Sequence, residues 1–335
     1  MRTVLSSLTV VLLCASALLA QRPERGRGSR APEQLEHFTF QERSFQSDAV
    51  GQEVPYGIYL PAGYADEANK DREWPLVLWL HGMFEDHLRF HTRGGAPMLD
   101  GAVENGSLPP CIFVCVNGGR TSMYLNRKEQ RWQDLITEDL LQHLDSEYRV
   151  LDDRRRRAIM GVSMGGMAAL RIAFTQPDKF GAVAAHSSAV FAEDPEQLPD
   201  RMKSFASRLG FDEEFGNPIQ KEKWEQANPL CIANRVDVEQ LRRLRIYFDA
   251  GTADRLGFHQ GNQLLHEALE RREVEHTFRL IEGGGHSWGA SFEKETLPHS
   301  FASIGAMFKA ELAVPTGETD GNGGTKPAPG EKRDD

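Results

Sequence analysis

Read for periodicity, the chain is an α/β protein with a mostly parallel central sheet and helices on both faces. Three observations lead there. Residues 74–80 (Trp-Pro-Leu-Val-Leu-Trp-Leu) and 111–116 are apolar throughout, as strands covered on both faces are. Residues 133–148, 166–175, 261–272 and 300–312 carry apolar side chains three and four apart, the spacing of amphipathic helices. The two kinds of segment alternate, and alternation wraps helices around a parallel sheet. The other expected strands are 52–60, 158–160, 181–186, 244–248 and 276–281, which makes six or seven in all. No internal repeat points to a solenoid or propeller.

The 335 residues, 40% hydrophobic and 26% charged, suit one large domain or two modest ones. A net charge of -10 leaves no broad basic footprint, so neither nucleic acid nor an anionic membrane is an expected partner. Residues 1–20 begin with Met1 and Arg2 and continue as a mostly apolar run ending in small residues, the pattern of a secretory signal peptide cleaved after Ala20 or Ala17. The expected location is therefore secreted or periplasmic. No later stretch approaches the ~20 apolar residues that span a bilayer, so no stable membrane insertion is expected after cleavage. Residues 21–36 read as a flexible linker carrying Arg22, Arg25, Arg27 and Arg30. Residues 37–313 form the folded body, and 314–335, rich in Gly and Pro, read as a disordered tail.

Beyond Cys14 three cysteines remain, Cys111, Cys115 and Cys231. On one strand the β-carbons of the first two lie about 13 Å apart, too far to bridge. Buried thiols are the expected state.

The chemistry gathers at Ala158-Ile159-Met160-Gly161-Val162-Ser163-Met164-Gly165-Gly166-Met167, a strand that ends in G-x-S-x-G and passes directly into a helix. The Ser of such a turn sits in a strained conformation with its hydroxyl exposed, and the flanking glycines remove side chains that would clash. Met164 then offers a backbone N–H at the helix N-terminus, where an oxyanion can be held. A Ser hydroxyl needs a base, and the base an orienting carboxylate. His259, His266, His276 and His299 fall on expected helices or mid-strand, whereas His286 follows the glycine loop Gly283-Gly284-Gly285 and is the expected base. Two carboxylates compete for the third place, Asp249 at a strand end and Asp254 in the loop after Gly251; the loop gives Asp254 the reach, and Asp249 would brace the turn. Gly82, after the strand ending Leu80-His81, lets the Met83 N–H point at the same oxygen as that of Met164. His81 reads as hydrogen-bonded scaffold. His87 and His91 stand four apart without the Glu of H-E-x-x-H, so they read as part of a solvated loop, and no metal site is expected.

Together, Tyr56-Gly57-Ile58-Tyr59-Leu60-Pro61-Ala62-Gly63-Tyr64, Leu80-His81-Gly82, Gly161-Val162-Ser163-Met164-Gly165-Gly166, Gly251-Thr252-Ala253-Asp254 and Gly284-Gly285-His286-Ser287-Trp288 resemble the putative esterase (esterase D-like) family of α/β-hydrolases. The resemblance runs from about Gln52 to Phe308. It implies the α/β-hydrolase fold and a serine carboxylesterase built on Ser163, Asp254 and His286, with Met83 and Met164 as oxyanion donors and no cofactor. The family includes feruloyl and acetylxylan esterases, short-chain carboxylesterases, S-formylglutathione hydrolases and mycolyltransferases, so the chemistry is better defined than the substrate. With secretion, the expected substrate is a feruloyl or acetyl ester on polysaccharide. Acyl transfer to a sugar, and a binding module that has lost catalysis, are the alternatives. The excursion at about 190–236 would wall the pocket, with Phe205, Phe211, Phe215 and Trp224 as candidates, while Met123, Tyr124 and Trp132 would line the opposite side and Trp288, beside the base, is a further substrate-binding candidate.

Overall fold

The computed structural model describes residues 35–198, 200–208, 211–289 and 294–312. The expected signal peptide, nearly all of the linker and the expected tail lie outside the described residues.

Eight strands form one sheet: β1 (Phe38–Ser47), β2 (Gln52–Pro61), β3 (Leu76–Leu80), β4 (Ile112–Val116), β5 (Arg157–Val162), β6 (Ala182–His186), β7 (Arg245–Gly251) and β8 (His276–Ile281). Their order is β1-β2-β4-β3-β5-β6-β7-β8. β1 and β2 pair antiparallel, β2 joins β4 antiparallel, and every pairing from β4 through β8 is parallel. The expected sheet is there, with β1 as an addition. Its sequence FTFQERSFQS buries only Phe38, Phe45 and Ser47, so it carries no continuous apolar run to read.

Alternation along each inner strand divides the core into two layers. Leu76, Leu78 and Leu80 of β3 face one layer, and Val77 and Trp79 face the other. The first layer receives α2 (Leu140–Glu147), α3 (Met164–Thr175) and α6 (Phe258–Arg271), and the second α1 (Gly95–Glu104) and α7 (Leu297–Leu312). Between β6 and β7 the chain makes its long excursion, which includes α4 (Lys221–Ala227) and α5 (Pro229–Arg235). The buried Asn228 anchors it: its Nδ2 donates to the carbonyls of Phe191 and Ala192 at 2.9 and 3.1 Å. Cys111, Cys115 and Cys231 are free and buried, and burial pushes the Cys231 thiol up to about 11.

Parallel pairing sends the C-terminal ends of β3, β5, β6, β7 and β8 to one edge of the sheet. The loops that leave them carry Gly82, Ser163, Ser187, Asp254 and His286. Such an edge is where open α/β sheets place ligands.

Candidate active site

Ser163 links β5 to α3 in a conformation that few L-residues adopt, φ 57° and ψ −115°. The turn is over-determined. The Ser163 N–H donates to the His186 carbonyl at 2.8 Å, and its carbonyl accepts the N–H groups of Met167 and Ala189 at 3.0 and 3.2 Å. A β-carbon on Gly165 would lie 2.1 Å from the Leu80 carbonyl oxygen, so only glycine allows α3 to start so close to β3. Val162 is wholly buried and Ser163 partly exposed, so the turn lifts the hydroxyl out of the core.

The loops after β7 and β8 are stitched together before they reach the serine. The Thr252 N–H donates to the Ile281 carbonyl at 3.0 Å and the Ala253 N–H to that of Gly284 at 2.9 Å. A β-carbon on Gly251 would sit 2.2 Å from the Gly284 oxygen, so the approach depends on that glycine. The result is a chain of three side chains: Asp254 Oδ2 lies 2.9 Å from His286 Nδ1, and His286 Nε2 lies 3.0 Å from Ser163 Oγ. A carboxylate can only accept, so His286 Nδ1 carries the proton and Nε2 presents its lone pair to the serine hydroxyl. Burial pushes the Asp254 carboxyl up, but the hydrogen bond and charge of His286, with the Leu256 N–H, outweigh it and hold the group below its ordinary value. The Ser187 hydroxyl donates to the His286 carbonyl, and the Phe258 ring stands edge-on to the imidazole at 5.4 Å. The arrangement can take a proton from Ser163 and return it to a leaving group.

Asp249, the competing carboxylate, is committed elsewhere. At the end of β7 it faces its register partner His186 on β6, with Oδ2 2.7 Å from Nδ1 and both side chains buried. It braces two strand ends.

The loop after β3 holds its shape through His81. The wholly buried ring donates from Nδ1 to the Gly82 carbonyl at 2.8 Å and accepts the Gly118 N–H at Nε2 at 3.1 Å; burial lowers its pKa, and the neutral tautomer satisfies both bonds. Either side of Met83, the Gly82 N–H donates to Glu85 at 2.9 Å and the Phe84 N–H to the Arg120 carbonyl at 2.7 Å. A β-carbon on Gly82 would lie 3.7 Å from Ser163 Cβ, so the Met83 backbone passes close to the serine while Met164 opens α3 on its other side. His87 and His91 depart from the solvated loop expected of them. His87 is buried with Nε2 3.1 Å from Glu42, and His91 stacks on Phe40 and meets the Tyr59 hydroxyl at 2.9 Å.

Ser163 and His286 open into a cavity of about 550 Å³ with mostly apolar walls. Met83, Met123, Met164 and Met167 line one part, the excursion contributes Phe191, Phe211, Phe215 and Trp224, and Phe84 and Leu256 line it from exposed positions. Of the expected pocket residues, Met123, Phe211, Phe215 and Trp224 reach the cavity, whereas Tyr124, Trp132 and Trp288 do not line it. Tyr124 is fully buried, its hydroxyl donating to the His81 carbonyl at 3.3 Å. Trp132 packs beneath Gly119, and Trp288 turns to the other face of the sheet against Trp79 and Phe90. The Phe205 side chain lies outside the described residues.

Two contributors escape the sequence reading. Phe258 is four residues beyond Asp254 at the start of α6, a position that faces back over the loop. Arg171, wholly buried in α3, donates to the carbonyls of Met123 and Tyr124 at 3.2 and 2.6 Å, both residues standing at positive φ. Burial pushes its pKa down to about 10, which leaves it charged at neutral pH. The visible signal is one cation within the otherwise apolar helix MGGMAALRIAFT.

A family model described as "Putative esterase" matches residues 47–302. Among curated proteins, the chain is 24% identical over 172 residues to an endo-1,4-beta-xylanase/feruloyl esterase of Xylanibacter ruminicola, covering 50% of this chain and 23% of that one. It is 26% identical over 220 residues to an esterase of Mycobacterium tuberculosis, covering 62% and 45%. The matches thus span less than half the length of these curated relatives. Among solved structures, a ferulic acid esterase superposes with a TM-score of 0.67 at 23% identity, over 81% of this chain and 100% of that one. An S-formylglutathione hydrolase from Agrobacterium tumefaciens does so at 0.63 and 19%, over 81% and 96%. At these identities the likeness speaks for the fold, which is that of the α/β-hydrolases.

Proposed function

The chain belongs to the putative esterase family, and on that premise we propose that it is a serine carboxylic-ester hydrolase acting through an acyl-enzyme. The reading rests on the Asp254, His286 and Ser163 chain, at 2.9 and 3.0 Å, at the edge of an apolar cavity. In this mechanism His286 Nε2 takes the Ser163 proton as Oγ attacks the ester carbonyl. The N–H groups of Met83 and Met164 receive the oxyanion, the second with the dipole of α3 behind it. The imidazolium then gives its proton to the departing alcohol. Water, deprotonated by the same nitrogen, releases the acid from Ser163.

The cavity favours an aromatic acyl group over acetyl. An acetyl group would leave most of about 550 Å³ unfilled, whereas a feruloyl ring can lie among Phe191, Phe211, Phe215 and Trp224. With the leader expected at residues 1–20, the substrate we favour is a feruloyl ester of an extracellular polysaccharide. One relative's name joins a xylanase to a feruloyl esterase, which agrees with that choice.

Initial rates on methyl ferulate and on p-nitrophenyl acetate, butyrate and octanoate test both parts. The proposal expects methyl ferulate to give a higher kcat/KM than the acetate, and all rates to fall by about 10⁴-fold or more in Ser163→Ala. A preference for acetate would overturn the aromatic assignment. Equal rates in wild type and variant would overturn the hydrolase.

A further inference from the structure

On the flank of the sheet, away from the serine, three donor groups converge that the reaction does not use. His266 and Glu270 stand four apart on α6, one turn above each other, and His276 opens β8 beside them. Their ligand atoms all lie within 4.8 Å of one another. His266 Nδ1 is 2.7 Å from His276 Nε2, and a Glu270 oxygen is 3.9 Å from the same nitrogen.

The orientation of His276 is fixed. Its Nδ1 donates to the Val274 carbonyl at 2.8 Å, so the proton of the neutral ring is spent there and the Nε2 lone pair points at His266. A backbone carbonyl behind a histidine is the usual support of a metal-ligating imidazole, because it sets both tautomer and ring plane. The His276 side chain is only 1% exposed and stacks on Phe248, while His266 packs against Phe278. A hydrogen bond between the rings would account for the 2.7 Å alone. It gives no role to the carboxylate one helical turn away.

We propose that His266, Glu270 and His276 bind a divalent cation of the zinc class, through Nδ1, a carboxylate oxygen and Nε2. Two imidazoles and one carboxylate suit Zn²⁺ or Co²⁺ better than the hard cations, and three protein ligands leave one position for water. Two nitrogens bound to one tetrahedral ion stand about 3.3 Å apart, given metal–nitrogen bonds of ~2.0 to 2.1 Å. Binding therefore opens the pair by roughly 0.6 Å, a shift within reach of the partly exposed His266 side chain. The site lies about 12 Å along α6 from Phe258 and about 16 Å along β8 from Ile281. The ion would clamp the helix that follows Asp254 to the strand that precedes His286, and it would take no part in ester cleavage.

The test uses tag-free full-length protein, treated with a chelator and then titrated with Co²⁺ alone. The expected result is one Co²⁺ per chain with visible d–d absorption, displaced by one equivalent of Zn²⁺, and a melting temperature that rises with Zn²⁺. His266→Ala should abolish saturable binding. Glu270→Ala, an exposed substitution that leaves the core intact, should weaken it by about tenfold or more. Absence of one-to-one binding in the wild type would overturn the site, as would equal Co²⁺ affinity in wild type and both variants.

Discussion

Ser163 owes its place to backbone strain that its neighbours hold. Its φ of 57° persists because three backbone hydrogen bonds meet at one residue and two glycines clear the turn. The carboxylates separate as sharply. Asp254 is hydrogen-bonded to His286, the base of the proposed mechanism, whereas Asp249 is sealed against His186. Asp254→Asn should therefore lower kcat by about 10³- to 10⁴-fold with only a modest loss of stability, because the amide no longer enforces the required tautomer. Asp249→Asn should do the reverse, lowering the urea midpoint while kcat per folded molecule changes by less than about tenfold. Steady-state kinetics and urea titration of the two variants check this, and a larger kcat loss in Asp249→Asn would exchange their roles.

At the level of elements, the site is made by loops that lock one another. Arg171 reaches from α3 to hold Met123 and Tyr124, so a helix that begins at the serine also shapes the cavity wall. Arg171→Met leaves two buried carbonyls without donors and should cost about 2 to 3 kcal/mol of stability. It should also raise KM for a bulky ester more than for the acetate, which kinetics on both esters would reveal. Gly251→Ala would drive a methyl group into the Gly284 carbonyl and push the acid and base loops apart. A fall in kcat with the sheet's far-ultraviolet signal unchanged is the expected outcome.

These loops also mark where sequence reading stops. Short apolar runs reveal β2 to β8, and the order Ser163, Asp254, His286 emerges because each residue follows a strand end or a glycine turn, a local signal. β1 escapes because a mostly exposed edge strand has no apolar run. Tyr124, Trp132 and Trp288 read as pocket residues because large aromatics suit pockets. Tyr124 and Trp132 are instead buried and Trp288 partly buried against the other face of the sheet, beside left-handed turns at Met123, Tyr124 and Trp288 that no spacing rule announces.

Over the whole molecule, buried titrating groups set the response of the fold to acid. His81, wholly buried, has its pKa lowered by burial, so the unfolded chain binds the proton that the folded one excludes. Its contribution to stability is complete above the ordinary imidazole value of 6.5 and is lost as pH falls toward its lowered folded value. His143, lowered mainly by burial beside Phe45, acts in the same sense. Asp254 adds a second acid limb: its depressed pKa stabilises the fold above 3.8, and that contribution fades as pH falls below it. Urea midpoints should be level from pH 8 to 7 and decline from about pH 6.5 downward. The His81→Asn variant should be less stable at pH 8 and lose less on acidification. A midpoint that rises between pH 7 and 5 would contradict the neutral assignment of His81.

The proposed mechanism makes Ser163 an activated nucleophile, and reaction with a fluorophosphonate followed by peptide mass mapping tests it. The expected result is one adduct per chain on the peptide containing Ser163, absent from Ser163→Ala and formed at least about 10³-fold more slowly in His286→Ala. No adduct on the wild type, or an adduct at another residue, would contradict the account.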